Sequence, residues 1–338
     1  MISSRLCSFA RSLSVRRVTA CRLASGGLDP RRVAASLPLA AALLAAAVAP
    51  AAAGGGPENA VLIVDPSDPE SLYIANYYRS ARDIPDANVL YMVPGAASYQ
   101  DFAGFQGDAL LGTLASRDLT DHIDYVVVPP GGSFFVPMPD LVDGGGCTPV
   151  RRMSISSAYT LAPLRSEILA GGRSFADANR YFGESDAPIA FDADTAYLAG
   201  IPRTSTSARR YLIGFMLGYT GERGNTVDEI ATLIDRSVAA DGTHPTGTFY
   251  YMRTSDAPRS GQRHAFFPSA VASLVGLGFQ AEDLFQQDGA DLLVPVGRHD
   301  ILGVMTGHAA PPIETADMTI LPGAFADHVT SFAALFDT

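Results

Sequence analysis

The sequence predicts an α/β fold, a doubly wound, mostly parallel sheet with helices on both faces. Three observations carry this. Short continuous apolar runs stand at 59–65, 88–93 and 123–128, as strands buried on both faces require. Stretches with helical spacing alternate with them. A second series of the same kind begins at Arg209 and runs to residue 306.

In order, Asn59-Ala-Val-Leu-Ile-Val-Asp65 is the first strand. Pro69-Glu70 opens a helix with Leu72, Ala75, Tyr78 and Arg79 at helical spacing, and Ile84-Pro85 closes it. The second strand is 88–93. Residues 98–121 read as helical or partly irregular, and 123–128 is the third strand. Residues 134–149 are rich in Pro and Gly, a long surface loop with the character of a lid. The stretch 153–169 begins Met153-Ser-Ile-Ser-Ser157 and turns helical. A loose segment with Phe175, Tyr181, Phe182, Phe191 and Tyr197 runs to Pro202.

The second series opens with a strand over 209–219. Asn225 or Thr226 caps a helix whose apolar face is Val227, Ile230, Leu233 or Ile234, and Val238. A strand follows over 247–252, then a helix over 267–277 ended by Gly278. The run 292–295 leads to Arg298-His299-Asp300 and to a last strand over 301–306. This series either continues the first sheet or starts a second.

The chain has 338 residues, and the first 53 read as a targeting segment. Seven arginines and one acid, Asp29, precede Gly54. Residues 33–53 are mostly Ala, Leu, Val and Pro and end in Ala51-Ala52-Ala53. A basic region, an apolar core and small residues at the break make a secretory signal, with the mature chain starting near Gly54. A membrane anchor is the competing reading, but the core is broken by Pro38 and Pro50 and falls short of ~20 strongly apolar residues. The expected location is periplasmic or extracellular. The Ser- and Arg-rich leader leaves a plastid or thylakoid-lumen address as the alternative if the source is eukaryotic. Residues 54–338 then form a single α/β domain, divisible into halves 54–150 and 151–338.

All 24 basic residues are arginine, and the net charge is −11. Without residues 1–53 there remain 17 arginines against 34 acids. So acidic a domain lacks the basic footprint for nucleic acid, so no nucleic-acid partner is expected. The mature chain holds no apolar run long enough for an integral membrane span. Cys147 is its only cysteine, in Gly-Gly-Gly-Cys-Thr-Pro, and reads as an inert loop thiol. No His/Cys/acid cluster has metal-ligand spacing, so no metal site is expected. The cofactor, substrate and protein partner stay unknown from sequence.

Ligands of parallel α/β sheets sit outside the carboxyl ends of the strands. Asp65 and Pro130-Gly-Gly-Ser133 end two strands here, which makes Asp65 and Ser133 candidate ligand-binding residues. The second segment is neither a phosphate-binding loop nor a dinucleotide fingerprint, and no Gly-x-Ser-x-Gly elbow exists. Turn chemistry is the competing reading for both positions. His308 follows the strand 301–306 within two residues, so its ring is expected to face the crevice beside Asp65 or Ser133. Asp327-His328, followed by Thr330-Ser331, adds a carboxylate and an imidazole. His308, Asp327 and His328 are therefore the candidate catalytic residues. On a strand Asp327 and His328 would point to opposite faces; on a helix Asp327 would share a face with Ser331. His122, His244 and His264 read as isolated surface residues.

Several blocks together resemble a family of uncharacterised exported bacterial proteins. They are Asn59-Ala-Val-Leu-Ile-Val64, the helix that follows it, Ile84-Pro-Asp-Ala-Asn-Val89, 123–128, Met153-Ser-Ile-Ser-Ser157, 226–237 and, most specific, Leu321-Pro-Gly-Ala-Phe-Ala-Asp-His-Val-Thr-Ser-Phe332. The resemblance spans 59–332 and implies no activity. It implies a chain that continues past the Thr-Ser-Phe block, so the C-terminus reads as truncated. Gly307-His308 after a strand is more remotely similar to the His-Gly of caspase- and gingipain-type peptidases. The second Gly and the partner cysteine of that pattern are missing. Two function classes follow: an exported protein of hydrolase-like character with its site at the strand ends, or a non-catalytic exported binding or surface protein on the same fold.

Overall fold

The computed structural model describes residues 55–138, 152–171, 191–198, 201–202, 204, 208, 210–285 and 292–329. They belong to one compact unit, Ala53–Thr338. The fold is α/β, built on two four-stranded sheets, each parallel throughout.

The first sheet contains β1 (Ala60–Val64), β2 (Val89–Tyr91), β3 (Tyr125–Val128) and β8 (Ile213–Met216) in the order β2-β1-β3-β8. β1 lies at its centre and is buried along its whole length. Its side chains alternate between two cores, as a strand's must. Val61 and Ile63 join Val126 and Val128 under a long helix, α2 (99–116), and the segment 155–168. Leu62 and Val64 join Val127 under helices α1 (Pro69–Arg82) and α5 (Val227–Ala240). Helices thus cover both faces.

Local chemistry sets the element ends. Asp68 accepts from Ser71 N–H at 2.7 Å to cap α1, and Asp83 closes it in a left-handed conformation. Thr226 and Glu229 form a reciprocal capping box at the start of α5. Ile230 and Ile234 are the residues α5 buries, while Leu233 stays exposed. Helix α2 (99–116) is α-helical at each end and π-helical over Phe102–Gly107. The irregularity expected from sequence is this wider turn. A short antiparallel pair, β4 (Phe135–Pro137) with β5 (Arg152–Ser154), leads into helices α3 (Ile155–Thr160) and α4 (Arg165–Leu169). A two-residue pair, β6 (Tyr197–Leu198) with β7 (Ile201–Pro202), precedes β8. The rest of the expected lid, with Cys147, and the aromatics Phe175, Tyr181 and Phe182 lie outside the described residues.

Asp124, just before β3, is buried and accepts from Ala193 N–H at 2.7 Å. Burial raises its carboxyl above the usual range; the Ala193 bond opposes this and Asp192 adds to it. A carboxyl raised in the fold stabilises the native state at acid pH, and that stabilisation is lost as pH rises through the raised value. Asp124→Asn keeps the acceptor and removes the buried charge. Its stability relative to the parent, from urea unfolding, is expected to be more favourable at pH 7 than at pH 3.

The second series is divided: its first strand, β8, completes the first sheet, and the strands from residue 248 onward form a sheet of their own. β9 (Thr248–Met252), β10 (Gln280–Leu284), β11 (Arg298–Gly307) and β12 (Met318–Val329) run in the order β10-β9-β11-β12. The last strand of the first sheet ends at Met216, and the first strand of the second begins at Thr248. Each sheet has the same plan: its first strand lies between its second and third, and its fourth is outermost beside the third. Helix α6 (Phe267–Gly276) covers one face through Phe267 on Tyr251. Among the described residues Leu292 packs against the core of the other face, and Thr306 Oγ1 donates to Leu293 O at 2.7 Å. β11 and β12 are joined by residues 308–317 without a helix, in keeping with Pro311-Pro312. The last block is a strand with a wide bulge: Ile320 pairs with Ile301, but Phe325 pairs with Gly303.

Candidate functional site

Two points exist where the strand order reverses, between β1 and β3 and between β9 and β11. The first is closed by its own loops. Asp65 is buried, and its Oδ1 accepts from the backbone and hydroxyl of Ser67 at 2.8 and 2.6 Å. The Ser133 hydroxyl is likewise turned inward, bound to Phe135 O at 2.7 Å. The loops pack backbone to backbone. A Cβ on Gly132 would lie 2.6 Å from Pro94 O, and one on Gly95 2.9 Å from Ser133 Cβ. Both glycines have left-handed φ, 70° and 99°. The π turn of α2 carries Gln106, which brackets Gly95 through its N–H and carbonyl and accepts from Tyr159 OH at 3.2 Å. Asp65 and Ser133 are thus each hydrogen-bonded within their own turns.

The second reversal is chemically richer. Thr254 Oγ1 donates to Gly307 O, tying the ends of β9 and β11 together. The loop 253–266 then crosses the strand ends. Arg253 grips Asp283 through both carboxylate oxygens, with Nε at 2.7 Å, and Arg263 Nη1 reaches Asp327 Oδ1 at 2.5 Å. Asp283, Tyr251, Met305 and Asp327 stand in one register row across the four strands. The two ion pairs therefore pin the loop to both edge strands. Between them a π-helical turn, Ala257–Gly261, carries Ser260, whose Oγ lies 2.6 Å from His264 Nε2. Burial pushes the His264 imidazole below its usual range; Arg253 pushes the same way and Asp283 opposes.

His308 and His328 meet at this edge. The His308 carbonyl lies 2.6 Å from His328 Nε2, so that nitrogen carries the proton. His308 Nδ1 accepts from Ala310 N–H at 3.1 Å, so in a neutral ring its proton sits on Nε2. Among the described residues one imidazole thus keeps a free acceptor and the other a free donor. Asp327 is separate from this pair. On a strand adjacent side chains point to opposite faces, and Asp327 bonds to Arg263 rather than to His328. Among the described residues no hydrogen bond or ion pair links Asp65 or Ser133 to His308, Asp327 or His328; the two sets end strands of different sheets. Thr330 and Ser331 lie outside the described residues.

Ser260 and His264 escaped the sequence reading, where His264 was an isolated surface residue. The one signal for the pair is a serine and a histidine four apart, which a helical turn brings to one side. No group of three His, Cys, Asp or Glu among the described residues could hold a metal ion. No helix among them is long and apolar enough to cross a membrane. Two described clefts lie away from the strand ends: about 490 Å³ along α5 near Asp228 and Arg236, and about 430 Å³ between α2 and α4 near Phe105 and Arg165. They are open grooves on helix surfaces, and neither gathers the strand-end groups. Compared with known proteins, the chain matches no family model, no curated protein and no solved structure.

Proposed function

We propose that this is an exported protein of hydrolase-like character, acting at the carboxyl edge of its second sheet. The reading is carried by the complementary tautomers of His328 and His308. An imidazole with a free Nδ1 lone pair takes a proton from an attacking water or hydroxyl, and one with a free Nε2–H donates to the leaving group or the developing oxyanion. Both rings are half-buried, at the end of the sheet where ligands of such folds sit. Asp65 and Ser133 shape the other reversal. The resemblance to exported bacterial proteins and the Ala51-Ala52-Ala53 break support periplasmic or extracellular placement. N-terminal sequencing of exported chain is expected to start near Gly54; retention of 33–53 would sink that part.

His308→Ala and His328→Ala are each expected to lower kcat by about 100-fold or more. A panel of chromogenic esters, amides and phosphoesters provides the assay. Unchanged rates in both variants would favour the non-catalytic binding reading. That reading draws on the exposed Phe279, Phe285 and Phe325 of the second sheet.

A further inference from the structure

We propose that Ser260 and His264 are a nucleophile–base pair that carries ester substrates through an acyl-serine intermediate. This rests on the hydrolase-like reading of the same sheet edge and names its nucleophile. Three groups surround Ser260 Oγ: His264 Nε2 at 2.6 Å, Thr254 N–H at 3.3 Å and Met252 O at 3.3 Å. The hydroxyl has one proton, and the closest acceptor is the imidazole. Thr254 N–H points into the same oxygen and stabilises the negative charge it gains on deprotonation. Burial, and after it Arg253, push the His264 imidazole below its usual range, which favours the neutral ring that a base requires. The neighbouring Arg259 Nε is buried without a hydrogen-bond partner among the described residues, a spare donor in the same loop.

The chemistry balances within the pair. Oγ attacks the ester carbonyl carbon and its proton passes to His264 Nε2. The carbon–alkoxide bond breaks, and the leaving alcohol takes that proton. Water then attacks the acyl-serine, giving one proton to His264 and releasing the acid, and His264 returns the proton to Oγ.

Ser260 is 1% exposed, so an acyl carbon reaches Oγ only when the loop lifts from Gly307. The clamp has a weaker end. Arg263–Asp327 is more exposed than Arg253–Asp283, 25% and 35% against 21% and 14% for the side chains. Asp327 is on this reading a positioning residue, the anchor of the loop's outer end.

The test is a fluorophosphonate probe on the full chain, followed by intact-mass and peptide mass spectrometry. Wild type is expected to gain one adduct, on Ser260, with loss of fluoride. Ser260→Ala should gain none there. His264→Gln should react about 100-fold more slowly. Arg263→Gln, or Asp327→Asn if that variant does not fold, should react faster. Circular dichroism checks folding of each. An unlabelled Ser260 in wild type and in a folded latch variant overturns the proposal, as does equal labelling of His264→Gln. The wider reading fails separately: hydrolysis lost in His308→Ala but kept in Ser260→Ala sinks the dyad alone. Loss in Ser260→Ala with His308→Ala and His328→Ala unaffected sinks the imidazole-pair reading and leaves the dyad.

Discussion

Gly307→Val is expected to destabilise the protein by about 1–3 kcal/mol and to lift the loop that carries Ser260 and His264. Gly307 ends β11, where β11 pairs with β12. Its φ is not in the left-handed region, so conformational freedom is not the reason for a glycine. The reason is space. A Cβ there would lie 2.6 Å from Arg259 O and 3.0 Å from Ser260 Cα. These are backbone atoms of the π turn, which cannot rotate aside as a side-chain tip would. The loop must lift, and lifting strains the Thr254 Oγ1 bond to Gly307 O. Thermal unfolding reads the stability. Histidine side-chain NMR reads the site: with burial relieved, the His264 pKa should rise toward its ordinary value. A variant with parent stability and an unmoved His264 titration would show that the loop does not seat on Gly307.

Much of this architecture was legible because its central strands are apolar on both faces. Val61 to Val64 and Val126 to Val128 announce themselves by composition. β10 did not, since Gln280-Ala-Glu-Asp-Leu284 is an edge strand with polar residues on both sides. Its acids are explained by partners far away in sequence: Glu282 pairs with Arg298, and Asp283 with Arg253. The site divides along the same line. His308 was readable because it follows an apolar run. Its meeting with His328 needed the parallel pairing of β11 with β12, which sequence periodicity does not encode. Ser260 and His264 were hidden because a loop's chemistry depends on what it folds over. Asp327 and His328 follow the strand alternative weighed from sequence: alternation sends Asp327 to the opposite face, onto Arg263, a partner that adjacency could not name. The equal strand order of the two sheets was out of reach too, because it lies in connections of unequal length and composition.

Backbone amides of β1 and β3 are expected to outlast those of β10 and β12 in hydrogen exchange by about 100-fold, or ~2.7 kcal/mol of opening free energy. The argument is one of burial. β1 is shielded on both faces by separate cores, which hold Tyr99, Phe102 and Tyr159 on one side and Ile74, Ile230 and Ile234 on the other. Among the described residues the second sheet's core holds Tyr250, Met252 and Ile301. At about 1.5–3 kcal/mol per buried apolar side chain, that is far less to break. Its surroundings agree, with Phe279, Phe285, Phe325 and Ile320 exposed. The second sheet should therefore open by itself while the first stays folded. Ile63→Ala separates this from a single cooperative unit. The substitution should remove about 2–5 kcal/mol from the first core, lowering protection in β1 and β3. Exchange in β10 and β12 should stay as it was, since their opening leaves that core intact. Equal slowing in all strands of the parent, or equal loss in all strands of the variant, would mean the two sheets unfold as one. The softer sheet carries Ser260, His264, His308 and His328, so a low opening cost there is also what lets the loop clear its buried serine.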